Sequence, residues 1–219
     1  GHRHDLVSAQ LLHHNVGPTI STFGTGATLR VERSTIWRNR GDATANAGGI
    51  LHDVNTTTTV IGSTISENLG PGLRGTGNVQ VVGSTIYANR APYGGGIVVP
   101  GPYGVTRVRN SIVAGNDSFA FDKDCAAFGT AFTSEGYNLI EQPTCEIAGD
   151  KTGNVTGQAA LLGPLVRQAG RTPTHALLAG SPARNAGNPA APGSGGTACE
   201  AADQRGIVRA GGGRCDIGA

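Results

Sequence analysis

A short phrase recurs along the first half of this chain: a small polar pair, an aliphatic residue, two variable residues and an asparagine. It reads Ser34-Thr35-Ile36-Trp37-Arg38-Asn39, Ser63-Thr64-Ile65-Ser66-Glu67-Asn68 and Ser84-Thr85-Ile86-Tyr87-Ala88-Asn89. Weaker copies lead to Asn15 and to Asn116, so the asparagines are spaced by 24, 29, 21 and 27 residues. A period of this size is the signature of stacked coils, in which each repeat buries its apolar face only against its neighbours.

Other residues keep phase with the phrase. Val31, Val60, Val81 and Val108 each lie three residues before the serine, and Ile36, Ile65, Ile86 and Val113 follow each valine by five. Glycine turns precede further aliphatic residues at Gly48-Gly49-Ile50, Pro71-Gly72-Leu73 and Gly95-Gly96-Ile97. Each coil therefore offers about three short strands. Alternation turns one aliphatic side chain inward, and parallel pairing joins coils about 4.8 Å apart. The prediction is an all-β chain, a right-handed parallel β-helix with irregular, disulfide-stabilised C-terminal coils. Valine stacks on valine, isoleucine on isoleucine, and Asn15, Asn39, Asn68, Asn89 and Asn116 form a ladder at a corner where asparagine accepts left-handed backbone. A β-sandwich shares the alternation and the turns but does not repeat one phrase at a coil period.

Residues 1–118 carry the clear coils, with step-length variation mapped to outward loops such as residues 40–47. Residues 119–219 lose the phrase and are expected to add irregular coils and to close the far end of the same solenoid. The first coil shows no capping helix, so another module of the same precursor, or another subunit, is expected to cover it. The net charge is +2 and no basic run stands out, which argues against nucleic acid. No apolar stretch approaches membrane-spanning length. Four cysteines, Cys125, Cys145, Cys199 and Cys215, lack the paired spacing of a zinc or redox site. Pairing in order closes loops of 20 and 16 residues, worth about 3 kcal/mol each in the chain-entropy picture, and points to an oxidising, extracytoplasmic compartment. The alternative is four buried free thiols.

The second half contains, in order, Leu162-Gly163-Pro164-Leu165, Thr172-Pro173-Thr174-His175-Ala176-Leu177, Gly180-Ser181-Pro182-Ala183, Asp203-Gln204-Arg205-Gly206 and Cys215-Asp216-Ile217-Gly218-Ala219. This series, with the upstream phrases, resembles the bacterial choice-of-anchor Q family, relatives of polymorphic outer-membrane proteins with right-handed parallel β-helices. The chain departs from that pattern at Arg184, where an aliphatic residue is more common. The resemblance implies a secreted or surface-anchored protein, and it carries no agreed enzymatic activity from which catalytic residues could be transferred.

Several residues are candidates for chemistry. Arg38, Arg90 and Arg109 could line a face that holds an acidic glycan, either for binding or for a polysaccharide lyase-like or glycoside hydrolase reaction. The competing reading is a solvated face that discourages lateral aggregation. Asp42, Asp53, Glu67 and Glu135 show no aligned pair of the kind a glycosidase needs. Asp117, Asp122 and Asp124 offer oxygens for Ca2+ but not a full loop pattern. His2, His4 and His14 cluster near the start and could bind zinc or copper. His175 reads as a structural hydrogen-bonding histidine. Asn55, Asn116 and Asn154 begin glycosylation triplets. The Thr35, Thr64 and Thr85 column is placed beside the core, not on an ice-binding face. No Gly-x-Ser-x-Gly or His-Glu-x-x-His is present. The expected role is a non-catalytic cell-surface spacer, adhesion or self-assembly module; a carbohydrate-active β-helix is the alternative.

Overall fold

The structure, a computed structural model, describes residues 3–41, 48–119, 122–129, 132–168, 172–209 and 213–219. His2, Asp42 and most of the 40–47 loop lie outside the described residues. The described chain is all β, without a helix, and winds into a parallel β-solenoid of about five turns.

Three sheets form its faces. The first stacks strands His4–Ser8, Thr28–Glu32, Thr57–Ile61, Asn78–Val82, Thr106–Arg109, Phe132–Glu135 and Ile147–Asp150. The second stacks Leu11–His13, Thr35–Trp37, Thr64–Ser66, Thr85–Tyr87, Ile112–Ala114, Leu139–Ile140 and Val155–Thr156. The third has five strands, Ile20–Thr22, Ile50–His52, Leu73–Gly75, Ile97–Pro100 and Cys125–Phe128. All pairing within these sheets is parallel between successive coils.

The register is the one the repeats dictate. Val7, Val31, Val60, Val81 and Val108 lie one above another. So do Leu12, Ile36, Ile65, Ile86, Val113 and Ile140. Ile20, Ile50, Leu73, Ile97 and Cys125 form the third column. Together they make the buried core, to which each enclosed Val, Leu or Ile contributes about 2 kcal/mol. Gly96 sits in one of the tight corners beside this core. A Cβ there would lie 2.1 Å from the carbonyl oxygen of Asp124 in the next coil.

The asparagine ladder is present. In each coil the backbone N–H and the side-chain Nδ2 both donate to Oδ1 of the asparagine in the following coil, from Asn15 through Asn39, Asn68 and Asn89 to Asn116. Nδ2 also donates to a backbone carbonyl of the preceding coil, at Leu12, Ile36, Ile65 and Ile86. The asparagines do not themselves adopt left-handed backbone. The residue before each does: His14, Arg38, Glu67, Ala88 and Gly115 have φ of 57°, 50°, 53°, 54° and 61°. That residue turns the corner, and the turn delivers the next side chain inward. Continuing the register by three residues from Ile140 brings Pro143 to the ladder position of the next coil, which ends the amide series. The Asp124 carboxylate takes over as acceptor, receiving Asn116 N–H and Nδ2 at 3.1 and 2.9 Å.

A second ladder runs at the corner between the first two faces. The N–H of Ser34 donates to Ser63 Oγ, Ser63 to Ser84, and Ser84 to Ser111, each at 3.2 Å. Asn138 and Asn154 continue the acceptor series. Here too a left-handed residue precedes each serine: Arg33, Gly62, Gly83 and Asn110.

Residues 132–156 prolong the first two faces in register. The described residues between 160 and 219 do something the sequence reading did not anticipate. They turn back along the outside of the second face and cover it, contributing an antiparallel hairpin of Leu162–Val166 with Thr174–Leu177. A second apolar cluster forms there, with Ile112, Ala114 and Leu139 from the coils against Ala160, Ala183 and Ile217 from the returning segment. The Thr35, Thr64 and Thr85 column is the outward side of the second face, yet it is buried because this segment lies over it. Disulfides join Cys125 to Cys145 and Cys199 to Cys215, the in-order pairing. The first ties the last strand of the third face to the coil that follows. The second lies within the returning segment, beside Gly187, where a Cβ would meet Cys215 Sγ at 2.2 Å.

Candidate functional site

The three candidate arginines do not form one open stripe. Arg38 and Arg90 share the corner that carries the asparagine ladder. Arg90 lies in the outward column of Val16, Arg40, Leu69 and Asp117. Arg109 sits at the other corner, in register with Val82 and, through it, Ile61 and Glu32. Each is paired with a carboxylate of the next coil. Arg38 Nε donates to Glu67 Oε2 at 2.9 Å, Arg90 lies 3.5 Å from Asp117, and Arg109 Nη1 donates to Glu135 Oε2 at 3.0 Å. Arg38 and Arg90 also stack over Trp37 and Phe119. The exposed arginines Arg38 and Arg90 gain little stability from their pairs, about 0–1 kcal/mol each. The three pairs do neutralise the charge an acidic glycan would need.

The carboxylates proposed for Ca2+ do not converge either. Asp117 faces Arg90 and accepts the N–H of Ser118. Asp124 is buried at the end of the ladder, where it also accepts Gln142 N–H at 2.7 Å. Burial pushes its carboxyl up to about 6, with Glu141 adding to the rise and the hydrogen bonds from Asn116 and Gln142 opposing it. Asp122 stands half-buried at the surface. The candidates His4 and His14 likewise make separate contacts. His4 Nδ1 bonds Thr28 Oγ1 at 2.6 Å, and His14 packs edge-on against Trp37. Among the described residues no group of three His, Cys, Asp or Glu side chains could hold a metal ion. Of the glycosylation triplets, Asn116 is 2% exposed and committed to the ladder, so its amide is closed to modification.

The chemically most suggestive contact lies where the returning segment meets the second face. Ser66 Oγ is 2.8 Å from His175 Nε2, and His175 Nδ1 is 2.7 Å from the carbonyl oxygen of Gly163. A carbonyl only accepts, so Nδ1 carries the proton, Nε2 is the acceptor, and the serine hydroxyl donates. Burial holds His175 below the ordinary imidazole value against the Gly163 hydrogen bond and Glu67, which keeps it neutral. This is the nucleophile–base arrangement of acyl-transfer enzymes with a carbonyl in the orienting position. Ser66, however, is 0% exposed. With no approach for a substrate, the pair serves as a clamp between coil and tail, reinforced by the Tyr87 ring edge-on to His175.

The same seam holds Gln204. Its Oε1 accepts Thr64 Oγ1–H at 2.7 Å, and its Nε2 donates to Thr35 Oγ1 at 2.8 Å and to Thr172 Oγ1 at 3.0 Å. Thr35 Oγ1–H in turn donates to the carbonyl of Pro173. Sequence reasoning placed neither Ser66 nor Gln204. The available signal was the alternation itself, which marks Thr35, Thr64, Thr85 and Ser66 as outward-facing and so in need of a cover once they are buried.

No helix among the described residues is long and apolar enough to cross a membrane. The two disulfides fit an oxidising, extracytoplasmic setting. Comparison of the chain with family models, with curated proteins and with solved structures finds no match in any of the three.

Proposed function

We propose that this chain is a non-catalytic, secreted or cell-surface β-helix that serves as a rigid spacer or adhesion surface, the role implied by its resemblance to the bacterial choice-of-anchor Q family. The observation that carries this reading is how its repeated polar groups are spent. Asparagine and serine ladders, intercoil Arg–carboxylate pairs and the Gln204 seam all hold coil to coil or tail to coil. The edge strand His4–Ser8, near exposed Leu6 and Val16, supports docking of another module of the same precursor or another subunit at that end.

The test is incubation with a panel of neutral and acidic polysaccharides, read for both binding and turnover. No new reducing ends and no unsaturated sugars are expected. Release of unsaturated products from an acidic polysaccharide would replace the spacer reading with a lyase-like one.

A further inference from the structure

A cavity of about 270 Å3 lies between the second face and the returning segment. It belongs to neither the arginine corner nor the ladders. Ile112, Leu177 and Ile217 supply apolar wall, and His175, neutral by the argument above, borders it. Arg184, Arg205 and Arg209 line it together with Asp203 and Asp216. Three guanidiniums thus border the cavity beside Asp203 and Asp216, and Glu200 also acts on Arg209.

The hydrogen-bond inventory shows where donors are unspent. Asp203 is fully engaged: Oδ2 accepts from Arg205 Nε and Nη2, and Oδ1 accepts the N–H of Ile207. Arg205 spends its remaining arm on Gln168. Arg209 is fixed differently. Its Nη1 and Nη2 donate to the carbonyls of Asp216 and Gly218 at 2.9 and 2.6 Å, while its Nε is buried without a partner. Burial pushes this guanidinium below its ordinary value, and Asp203 and Asp216 hold it up. Arg184 is exposed at the rim and its guanidinium has no partner among the described residues. One anchored and one free guanidinium therefore share a small cavity with an apolar wall.

We propose that this cavity binds a small organic monoanion: a carboxylate carried on a single ring of monosaccharide size, such as a hexuronic acid. The carboxylate matches the planar fork of Arg184, with the anchored Arg209 adding positive charge nearby. The ring face lies on Ile112, Leu177 and Ile217, and the volume, near the small end of ligand-sized cavities of roughly 300 Å3 upward, admits one ring and not a chain. This site goes beyond the spacer role and is independent of it, since a polysaccharide panel reports on the outer faces and this cavity takes a monomer.

The test is titration calorimetry of the full chain with D-glucuronate, D-glucose and inorganic phosphate. The expected result is saturable glucuronate binding, no glucose binding, and phosphate binding weaker than glucuronate. Arg184→Ala, at an exposed side chain with no partner, should leave the circular dichroism unchanged and weaken glucuronate binding at least tenfold. Arg184→Lys, which keeps the charge and loses the fork, should fall between. Absence of saturable glucuronate binding, equal binding of glucose, tighter binding of phosphate, or unchanged affinity in Arg184→Ala would each overturn the assignment.

Discussion

A single ladder asparagine makes more bonds than its size suggests. Asn68 Oδ1 accepts from both the N–H and the Nδ2 of Asn39, and its own Nδ2 donates to Ile36 O and Asn89 Oδ1. Truncation removes four buried hydrogen bonds and leaves the Asn39 N–H without its acceptor, so Asn68→Ala should cost about 3 kcal/mol, read as a lower urea midpoint. The neighbouring left-handed positions predict the opposite sign. Ala88 holds φ 54° with a Cβ that disfavours it, and Ala88→Gly should stabilise by up to about 1 kcal/mol in the same assay. At this scale the sequence was readable wherever a residue type repeated in phase, as the asparagines and valines do. It was misread where the demand falls on backbone and not on side chain. The left-handed residue varies from His to Arg, Glu, Ala and Gly at the asparagine corner, so no residue type announces it. The serine ladder escaped notice because a serine in a turn reads as local chemistry, whereas here its oxygen serves the coil above.

The returning C-terminal segment is the element the repeats could not foretell. Residues 160–219 have no period, and the contacts that seat them are single residues far apart in sequence: Gln204 with Thr35 and Thr64, His175 with Ser66, and Ala219 N–H with Thr85 Oγ1. Only the burial of an outward threonine column betrays the cover, and burial is not visible before folding. Gln204→Leu keeps the volume and removes the amide, leaving buried threonine hydroxyls short of partners. It should weaken docking of the segment by about 2 kcal/mol while the coils stay folded. Hydrogen exchange should then rise across the 172–177 hairpin arm and 203–209 but not in Asn78–Val82. Equal exchange throughout would mean that coil and tail unfold as one unit. Asp124 was likewise half-legible: the carboxylate was noticed as a cation ligand, whereas its place after the last ladder asparagine makes it the acceptor that ends the series.

Across the whole molecule, two buried groups oppose each other as pH changes. His52 points into the core with both ring nitrogens unpartnered, and its ring fills the space a Cβ on Gly75 would need. Burial pushes it down to about 4 from 6.5, with Asp53 opposing. Between those values the unfolded chain binds the proton and the folded one does not, so stability falls as pH drops from 6.5 to 4. Asp124 is raised from 3.8 to about 6, so its folded form binds the proton first and stability is regained as pH falls from 6 to 3.8. The shifts are similar, about 3 kcal/mol each, and the wild-type urea midpoint should change little between pH 6 and 4. Asp124→Asn should expose the histidine alone and lose about 2 kcal/mol over that range, while His52→Leu should gain stability towards acid. A different consequence follows from the tail. Because it spans the shaft from Thr35 to Asn110, it acts as a splint of fixed reach. Duplicating one winding in the middle of the shaft would leave a stretch of second-face threonines and isoleucines bare, so the number of windings this molecule tolerates is set by the length of its own tail.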